Sequence, residues 1–237
     1  AFSNEDFQRL FRLSPTRAHG RLHELVEKGV FRRFLHGWYV VRGPGEAEVL
    51  GQPMFLGTRL VEPSYVAFGS ALHFHGWTER APRVTFIASP RRSRNRRIGR
   101  HPFHLVKWPP FRFFGYALAR QGSLEFPVAE PEKAIVDAFY LPRLCGGLKP
   151  VLAAVDKAKA SLDLERLQAH AVRMDVRSLC SRLGHLLEDG VLRHLVDDQR
   201  FELHAPDLQD LDRHPQLGGH HQLLRELLIE LGFERHG

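Results

Sequence analysis

Basic side chains at helical spacing near the start of the chain are the first residues whose types suggest chemistry. Arg17 and Arg21 lie four residues apart in the stretch SPTRAHGRLHELVEKGV, so a helix would carry both guanidinium groups on one flank. Guanidinium groups bind the edges of guanine bases and the phosphates of a nucleic acid backbone. Thr16 adds a hydroxyl group, and the absence of a side chain at Gly20 would let the helix backbone approach a ligand closely. The pattern predicts contacts to DNA.

Two short helices joined by a tight corner must position these side chains. Residues 3–12 begin with a serine cap, carry acids in the first turn and place apolar residues at helical spacing. Ser14-Pro15 is a second helix start, and Gly29 ends that helix. A helix, a corner and a second helix form a helix-turn-helix, whose second helix enters the major groove of DNA. The predicted buried face of the second helix consists of Ala18, Leu22, Leu25 and Val26.

A β-hairpin is predicted directly after the second helix. The stretch VFRRFLHGWYVV contains two β-branched and aromatic runs that meet at His36-Gly37. A hairpin in this position would be the wing of a winged helix-turn-helix, with Arg32, Arg33 and His36 able to contact phosphates. The alternative is that these arginines and histidines are ordinary solvated surface residues. The order of helix, corner, helix and hairpin favours the DNA-binding interpretation.

Composition shifts predict two domains. Gly43-Pro44-Gly45 is the best boundary, which gives a winged helix-turn-helix over 1–46 and a second domain over 47–237. The expected fold class is α+β, with the second domain a larger mixed α/β domain that has a helical C-terminal third. In that domain we predict a helix over Tyr65–His75 ended by Gly76, strands at RVTFIAS, FHLVKW and FRFFGYAL, and helices over 131–141, 148–160, 163–172, 176–189 and 220–231.

An arginine-rich segment, PRRSRNRRIGRHPF, follows the first predicted strand of the second domain. Six guanidinium groups within ten residues repel one another unless an anion or carboxylates neutralise them. Such a run is either a solvated loop or edge strand, or an extension of the phosphate contacts made by the first domain. The sequence leaves both alternatives open. The six residues are Arg91, Arg92, Arg94, Arg96, Arg97 and Arg100.

Charge and composition limit the classes of partner. The chain has 237 residues, 43% apolar content and a net charge of +7, with the excess of basic residues in the first two thirds. A basic surface attracts polyanions, so nucleic acid is the leading partner class. No apolar run approaches the roughly 20 residues that span a bilayer, and no export signal is present, so no membrane partner is expected. Cys145 and Cys180 are too few and too far apart for a disulfide framework or a zinc site, which predicts a cytoplasmic location.

Candidate catalytic residues are few. His73 and His75 would point in different directions on the predicted helix and could not share a metal ion. Lys133 and Asp137 lie at i and i+4, where a structural surface pair is more common than a catalytic pair. His220-His221 is more typical of a helix cap than of a metal site. The chain has no phosphate-binding loop, zinc-protease motif or serine-hydrolase motif, so we predict no catalysis, no metal and no cofactor.

Four segments, taken with the predicted N-terminal winged helix, resemble a known family over nearly the whole chain. In order they are SALHFHGWTE at 70–79, RVTFIAS, VAEPEKAIVDAFYLPR at 128–143 and RLGHLLE at 182–188. Together they resemble the AbiEi family of transcriptional-regulator antitoxins from abortive-infection, or type IV, toxin-antitoxin systems.

The resemblance implies a repressor that binds inverted repeats in double-stranded DNA at its own promoter. It also implies a second domain that counteracts a nucleotidyltransferase-like toxin, AbiEii, without forming a tight complex with it. The family usually has a further helix before Ser3, which predicts that the chain is truncated at its N-terminus. By position, the resemblance places DNA contacts at Thr16, Arg17, Gly20, Arg21, Arg33 and His36. Two alternatives remain: an enzyme acting on nucleic acid or on the toxin, and a non-specific nucleic-acid-binding protein.

Overall fold

The computed structural model describes residues 1–176 and Leu179, and these residues form a mixed α+β fold, as predicted. The N-terminal segment, residues 1–43, contains two helices and a three-stranded antiparallel sheet in the order β1-β3-β2. Its elements are β1 (Phe2–Ser3), α1 (Asn4–Phe11), α2 (Pro15–Glu27), β2 (Phe31–Leu35) and β3 (Trp38–Val41).

Local capping explains where the two N-terminal helices begin and end. The Ser3 hydroxyl oxygen accepts a hydrogen bond from the Asp6 amide at 3.1 Å, and the Asp6 carboxylate accepts one from the Ser3 amide at 2.9 Å. This reciprocal pair satisfies two amides that the helix leaves free. Arg12, in the left-handed conformation at φ 52°, ends α1, and Pro15 starts α2. The predicted helix boundaries in this segment are therefore confirmed to within a residue or two.

A small aromatic core holds the N-terminal segment together. Ala18 and Leu22 of α2 are fully buried and pack with Phe7 and Tyr39. Leu25 and Val26 pack against this core but remain half-buried. The predicted apolar face of α2 is thus confirmed, and its opposite face is left free to contact other molecules.

The second part of the described chain is built on a six-stranded mixed sheet in the order β6-β7-β5-β4-β9-β8. The β5/β7 and β4/β9 pairs are parallel, and the other three pairs are antiparallel. Its strands are β4 (Tyr65–Val66), β5 (Thr85–Ser89), β6 (Arg96–Ile98), β7 (His101–Lys107), β8 (Tyr116–Gln121) and β9 (Leu124–Ala129). Its helices are α3 (Pro44–Gly51), α4 (Pro53–Thr58), α5 (Phe68–Phe74), α6 (Pro131–Tyr140), α7 (Leu148–Ala158) and α8 (Leu164–Arg173).

Helices cover both faces of this sheet. Helix α4 lies against the face that carries Ile87 and Phe103, and a Cβ atom added at Gly57 would come within 2.7 Å of Ile87. Helix α6 lies on the opposite face, where Asp137 accepts a hydrogen bond from Tyr65 at 3.1 Å. Helices α5, α7 and α8 pack on α6, and its residues 132–139 are all buried. The layered arrangement is what places polar residues of α6 in the interior.

Two predicted elements differ from the structure. Tyr65 and Val66 were predicted to begin a helix, but they form the short strand β4 between β5 and β9. Backbone pairing on both sides outweighs the local helical pattern, so the helix begins only at Phe68. The predicted strand FRFFGYAL is a single 3-10 turn at Pro110–Arg112 followed by β8 from Tyr116, because Gly115 turns the chain at φ +66°.

Most of the other elements predicted for the second part of the chain are confirmed, and two lie outside the described residues. The strands RVTFIAS and FHLVKW and the helices at 131–141, 148–160 and 163–172 are confirmed within a few residues as β5, β7, α6, α7 and α8. No helix among the described residues is long and apolar enough to cross a membrane. The predicted helices at 176–189 and 220–231, together with Cys180, His220 and His221, lie outside the described residues.

Candidate nucleic-acid interface

The exposed face of α2 carries the four predicted contact residues Thr16, Arg17, Gly20 and Arg21. They lie opposite Ala18 and Leu22 and share one surface because they occupy i, i+1, i+4 and i+5 positions. Among residues 1–176, Arg17 has no ion pair, whereas Arg21 forms an exposed pair with Glu24 at 2.7 Å. A Cβ atom at Gly20 would meet no atom within 4 Å, so packing does not require glycine there.

The hairpin formed by β2 and β3 also presents basic side chains to solvent. The Arg33 guanidinium lies 2.6 Å from His36 Nδ1 and donates to the Leu35 carbonyl oxygen at 3.3 Å. Arg32 pairs with Glu46 of α3 at 2.9 Å. The strand register shifts between Arg33 and Leu35, which changes the direction of the side chains along this edge. The predicted residues Arg33 and His36 therefore lie together at the end of the hairpin.

An aromatic contact anchors the hairpin to α4. The rings of Trp38 and Phe55 meet edge to face at 6.4 Å, and the guanidinium carbon of Arg59 lies 4.8 Å from each ring centroid. A cation stacked on two aromatic faces adds electrostatic attraction to the packing. The hairpin is therefore fixed against the second part of the described chain.

The arginine-rich segment forms an exposed edge of the sheet. Arg96 and Arg97 belong to β6, the outermost strand beside β7, a position that leaves both alternatives for this segment open. Arg91, Arg92, Arg94, Arg96, Arg97 and Arg100 are all exposed. Within the part of the chain that the structure describes, no carboxylate pairs with any of these six side chains. Their mutual repulsion is left uncompensated by this part of the protein.

A surface groove joins the hairpin to the arginine-rich edge. Its volume is about 420 Å³, and its walls come from β2, α3 and the turn between β6 and β7. No aspartate or glutamate belongs to its lining. Sequence reasoning missed this juxtaposition, because the hairpin and the turn are more than sixty positions apart. The lining residues are Arg32, Arg33, Phe34, Ala47, Leu50, Gly51, Ile98, Gly99, Arg100 and His101.

Comparison with known proteins finds structural likeness at low sequence identity. No family model matches the chain, and no curated protein matches it. The crystal structure of the RV2827C protein from Mycobacterium tuberculosis is similar with a TM-score of 0.49 and 20% sequence identity. The alignment covers 85% of this chain and 77% of that chain. At this identity the likeness carries no information about activity.

The Lys133–Asp137 pair is buried, so the prediction of a surface pair is wrong. Both side chains of this α6 ion pair have an exposed fraction of 0%. The charge on Lys133 faces aromatic rings, with its Nζ atom 4.7 Å from the centroid of Phe114 and 5.1 Å from that of Trp108. Asp137 also accepts a hydrogen bond from the Tyr65 hydroxyl group. Helical spacing predicted the pairing, but the layers that cover α6 decide its burial.

Burial changes the proton affinity of both partners. Loss of solvation lowers the pKa of Lys133 and raises the pKa of Asp137, and the attraction between them opposes both changes. A substrate cannot reach side chains that are fully enclosed in this way. The arrangement is that of a structural ion pair, and it offers no access for the catalytic alternative that the sequence left open.

His73 of α5 and His75, the residue after its last one, form separate contacts. His75 Nε2 lies 2.8 Å from the Ala129 carbonyl oxygen, whereas His73 Nδ1 lies 3.3 Å from the Thr78 hydroxyl group. Burial lowers the pKa of His75, which favours the neutral ring. No group of three histidine, cysteine or acidic side chains suited to a metal ion occurs among the described residues.

Cys145 is predicted to be an unreactive thiol. Burial raises its pKa to about 12, and the negative charge of Asp137 acts in the same direction. Because the thiolate is the nucleophile, we expect iodoacetamide at pH 8 to alkylate Cys145 roughly 100-fold more slowly in folded than in urea-unfolded protein. Peptide mass spectrometry would follow Cys145 separately from Cys180. Equal rates in the two states would contradict the raised pKa of this thiol, which is half-buried.

Proposed function

We propose that this chain is a DNA-binding repressor of its own toxin-antitoxin operon, located in the cytoplasm. The observation that carries the proposal is the exposed row of Thr16, Arg17, Gly20 and Arg21 on α2, followed directly by a basic hairpin. In a winged helix-turn-helix, a second helix of this kind reads base edges in the major groove while the wing contacts phosphates. Helix α2 is then the recognition helix, and Arg33 and His36 belong to the wing.

The charge of the neighbouring surface supports double-stranded DNA as the partner. The arginines from 91 to 100 are exposed and lack carboxylate partners in the described chain, so a polyanion would relieve their repulsion. The second half of the proposal is that residues 47–237 neutralise a nucleotidyltransferase-like toxin without binding it tightly. That half rests on the resemblance of segments 70–79, 128–143 and 182–188 to the AbiEi family.

Binding to the chain's own promoter tests the repressor function. We expect fluorescence anisotropy to show roughly 1000-fold tighter binding to a duplex from the region upstream of its gene than to a scrambled duplex of equal composition. Specific repressors differ from non-specific binders in this ratio, because base contacts add to the phosphate contacts that all sequences share. Equal affinity for both duplexes, with steep salt dependence, would identify a non-specific nucleic-acid-binding protein and overturn the proposal.

Co-expression tests the antitoxin function. The neighbouring reading frame is expected to encode a nucleotidyltransferase that stops growth when expressed alone. Growth should resume when this chain is expressed with it, and the two proteins should elute separately in size-exclusion chromatography. Continued arrest at equal expression levels would remove the antitoxin half of the proposal.

A further inference from the structure

We propose that the groove between the hairpin and the β6–β7 turn binds a backbone phosphate of double-stranded DNA. The inference rests on the proposed DNA-binding function and extends it. The recognition helix and the wing then supply only part of the contact. The arginine-rich edge of the six-stranded sheet contacts the same duplex. The phosphate backbone is then bound both by the hairpin and by the β6–β7 turn.

Basic side chains from distant parts of the chain converge on the groove. Arg32 and Arg33 come from β2, Arg100 comes from the turn between β6 and β7, and His101 begins β7. The structure places these side chains around one volume of about 420 Å³ without a carboxylate in its lining. Exposed arginines that share a surface repel one another, and a phosphate between them converts that repulsion into attraction.

The turn itself is suited to close approach by an anion. Ile98 pairs with His101, so Gly99 and Arg100 form a two-residue hairpin turn, and Gly99 adopts φ +55°. Arg96 lies two residues before Ile98 and therefore on the same face of β6. Arg96 would extend the basic surface by about 7 Å along the strand, beyond the groove.

One carboxylate lies close enough to oppose an anion. Glu46, at the start of α3, holds the Arg32 guanidinium at 2.9 Å and is largely buried. It competes with a phosphate for Arg32, because the paired guanidinium has fewer free donors and the carboxylate offsets its positive charge. Removing this carboxylate should strengthen phosphate binding, an effect that a misfolded variant would not produce.

Matched arginine substitutions test the groove. Arg100→Ala and Arg96→Ala are each expected to weaken binding to promoter and scrambled duplexes alike, and to reduce the slope of log Kobs against log salt by about 1. The control, Arg120→Ala, removes the same charge from β8 at the opposite edge of the sheet, where Arg120 is 72% exposed and paired with Glu125. We expect the control to leave the slope unchanged. If the salt slopes of Arg100→Ala and Arg96→Ala equal that of Arg120→Ala, the proposed phosphate site is overturned.

Removal of the Glu46 carboxylate is expected to strengthen DNA binding, whereas removal of an arginine weakens it. Glu46→Gln should tighten binding to both duplexes and increase the salt slope, because it frees Arg32 for the phosphate. Unchanged or weaker binding by folded Glu46→Gln protein would contradict the role of Arg32 in the groove. Titration with inorganic phosphate tests whether the groove binds a free anion and not DNA. If the groove saturates at millimolar phosphate while Arg100→Ala leaves DNA binding unchanged, the assignment to DNA is overturned.

Failure of the proposed repressor function and failure of the proposed phosphate site would give different results. If the unaltered chain shows no promoter preference but Arg100→Ala still lowers the salt slope, the proposed repressor function fails and the groove remains a phosphate site. If promoter preference is present and Arg100→Ala behaves like Arg120→Ala, the groove fails and the repressor function stands.

Discussion

Replacing Arg17 and Arg21 together with alanine is expected to abolish the preference for promoter DNA. Both side chains lie on the exposed face of α2, in the N-terminal half that a recognition helix presents to base edges. A bidentate arginine–base pair contributes about 1–3 kcal/mol of discrimination, so the double variant should lose roughly 30-fold or more in promoter affinity. Anisotropy titrations with promoter and scrambled duplexes would measure both the affinity and the preference.

A control substitution directly after the same helix isolates the effect of position. Lys28→Ala removes an exposed positive charge from the residue after α2, where Lys28 pairs with Glu24. We expect it to retain the promoter preference, and circular dichroism should show that all variants keep their helices. Under the proposed antitoxin function, the double variant should still neutralise the toxin, because residues 47–237 are unchanged. Unaltered promoter binding by the double variant would show that α2 is not the recognition helix.

Replacing Lys133 with alanine is expected to cause a large loss of stability. The substitution leaves the Asp137 carboxylate buried with only the Tyr65 hydroxyl group as a partner. Breaking a buried ion pair by removing one partner typically costs about 3–5 kcal/mol, because the remaining charge has neither water nor a counter-ion. A domain with about 5–15 kcal/mol of stability would lose a large fraction of it. Urea denaturation followed by tryptophan fluorescence would measure the change in the free energy of unfolding.

The double variant Lys133→Met/Asp137→Leu distinguishes the lost pair from lost packing. It removes both charges and keeps much of the buried volume, so we expect most of the stability of the unaltered chain to return. Lys149→Ala, at an exposed position of α7, serves as the control and should change the unfolding free energy by less than about 0.5 kcal/mol. If Lys133→Ala does not fold at 25 °C, Lys133→Met alone, which keeps the aliphatic volume, gives the measurable comparison. A loss below about 1 kcal/mol in either single variant would show that Asp137 finds water or another partner.

Local sequence signals were sufficient for most of the N-terminal segment. Ser3 with Asp6 three residues later, and Pro15 after Ser14, are start signals that act through nearby backbone groups. The hairpin turn at Gly37 is of the same kind, because the residue must adopt positive φ, here +74°. Helix α6 was likewise predictable from Pro131 and its apolar residues. In each case the determining interactions lie within a few residues of one another.

Long-range contacts decided the features that the sequence pattern did not reveal. Tyr65 and Val66 form a strand only because β5 and β9 lie on either side of them. Lys133 is buried because Tyr65 of β4, together with Trp108 and Phe114 from the segment between β7 and β8, surrounds its ammonium group. Neither a two-residue strand nor an aromatic enclosure leaves a periodic pattern in the sequence.

Local sequence patterns were enough to predict the helix and hairpin boundaries near the N-terminus, the exposed basic face of α2 and the pairing of Lys133 with Asp137. These features follow from backbone geometry and from side chains three or four residues apart. The interior position of the pair, and the groove that Arg100 and His101 share with Arg32 and Arg33, follow only from the fold. Burial and surface potential depend on all neighbours in space, and the sheet brings those neighbours together from distant positions in the chain.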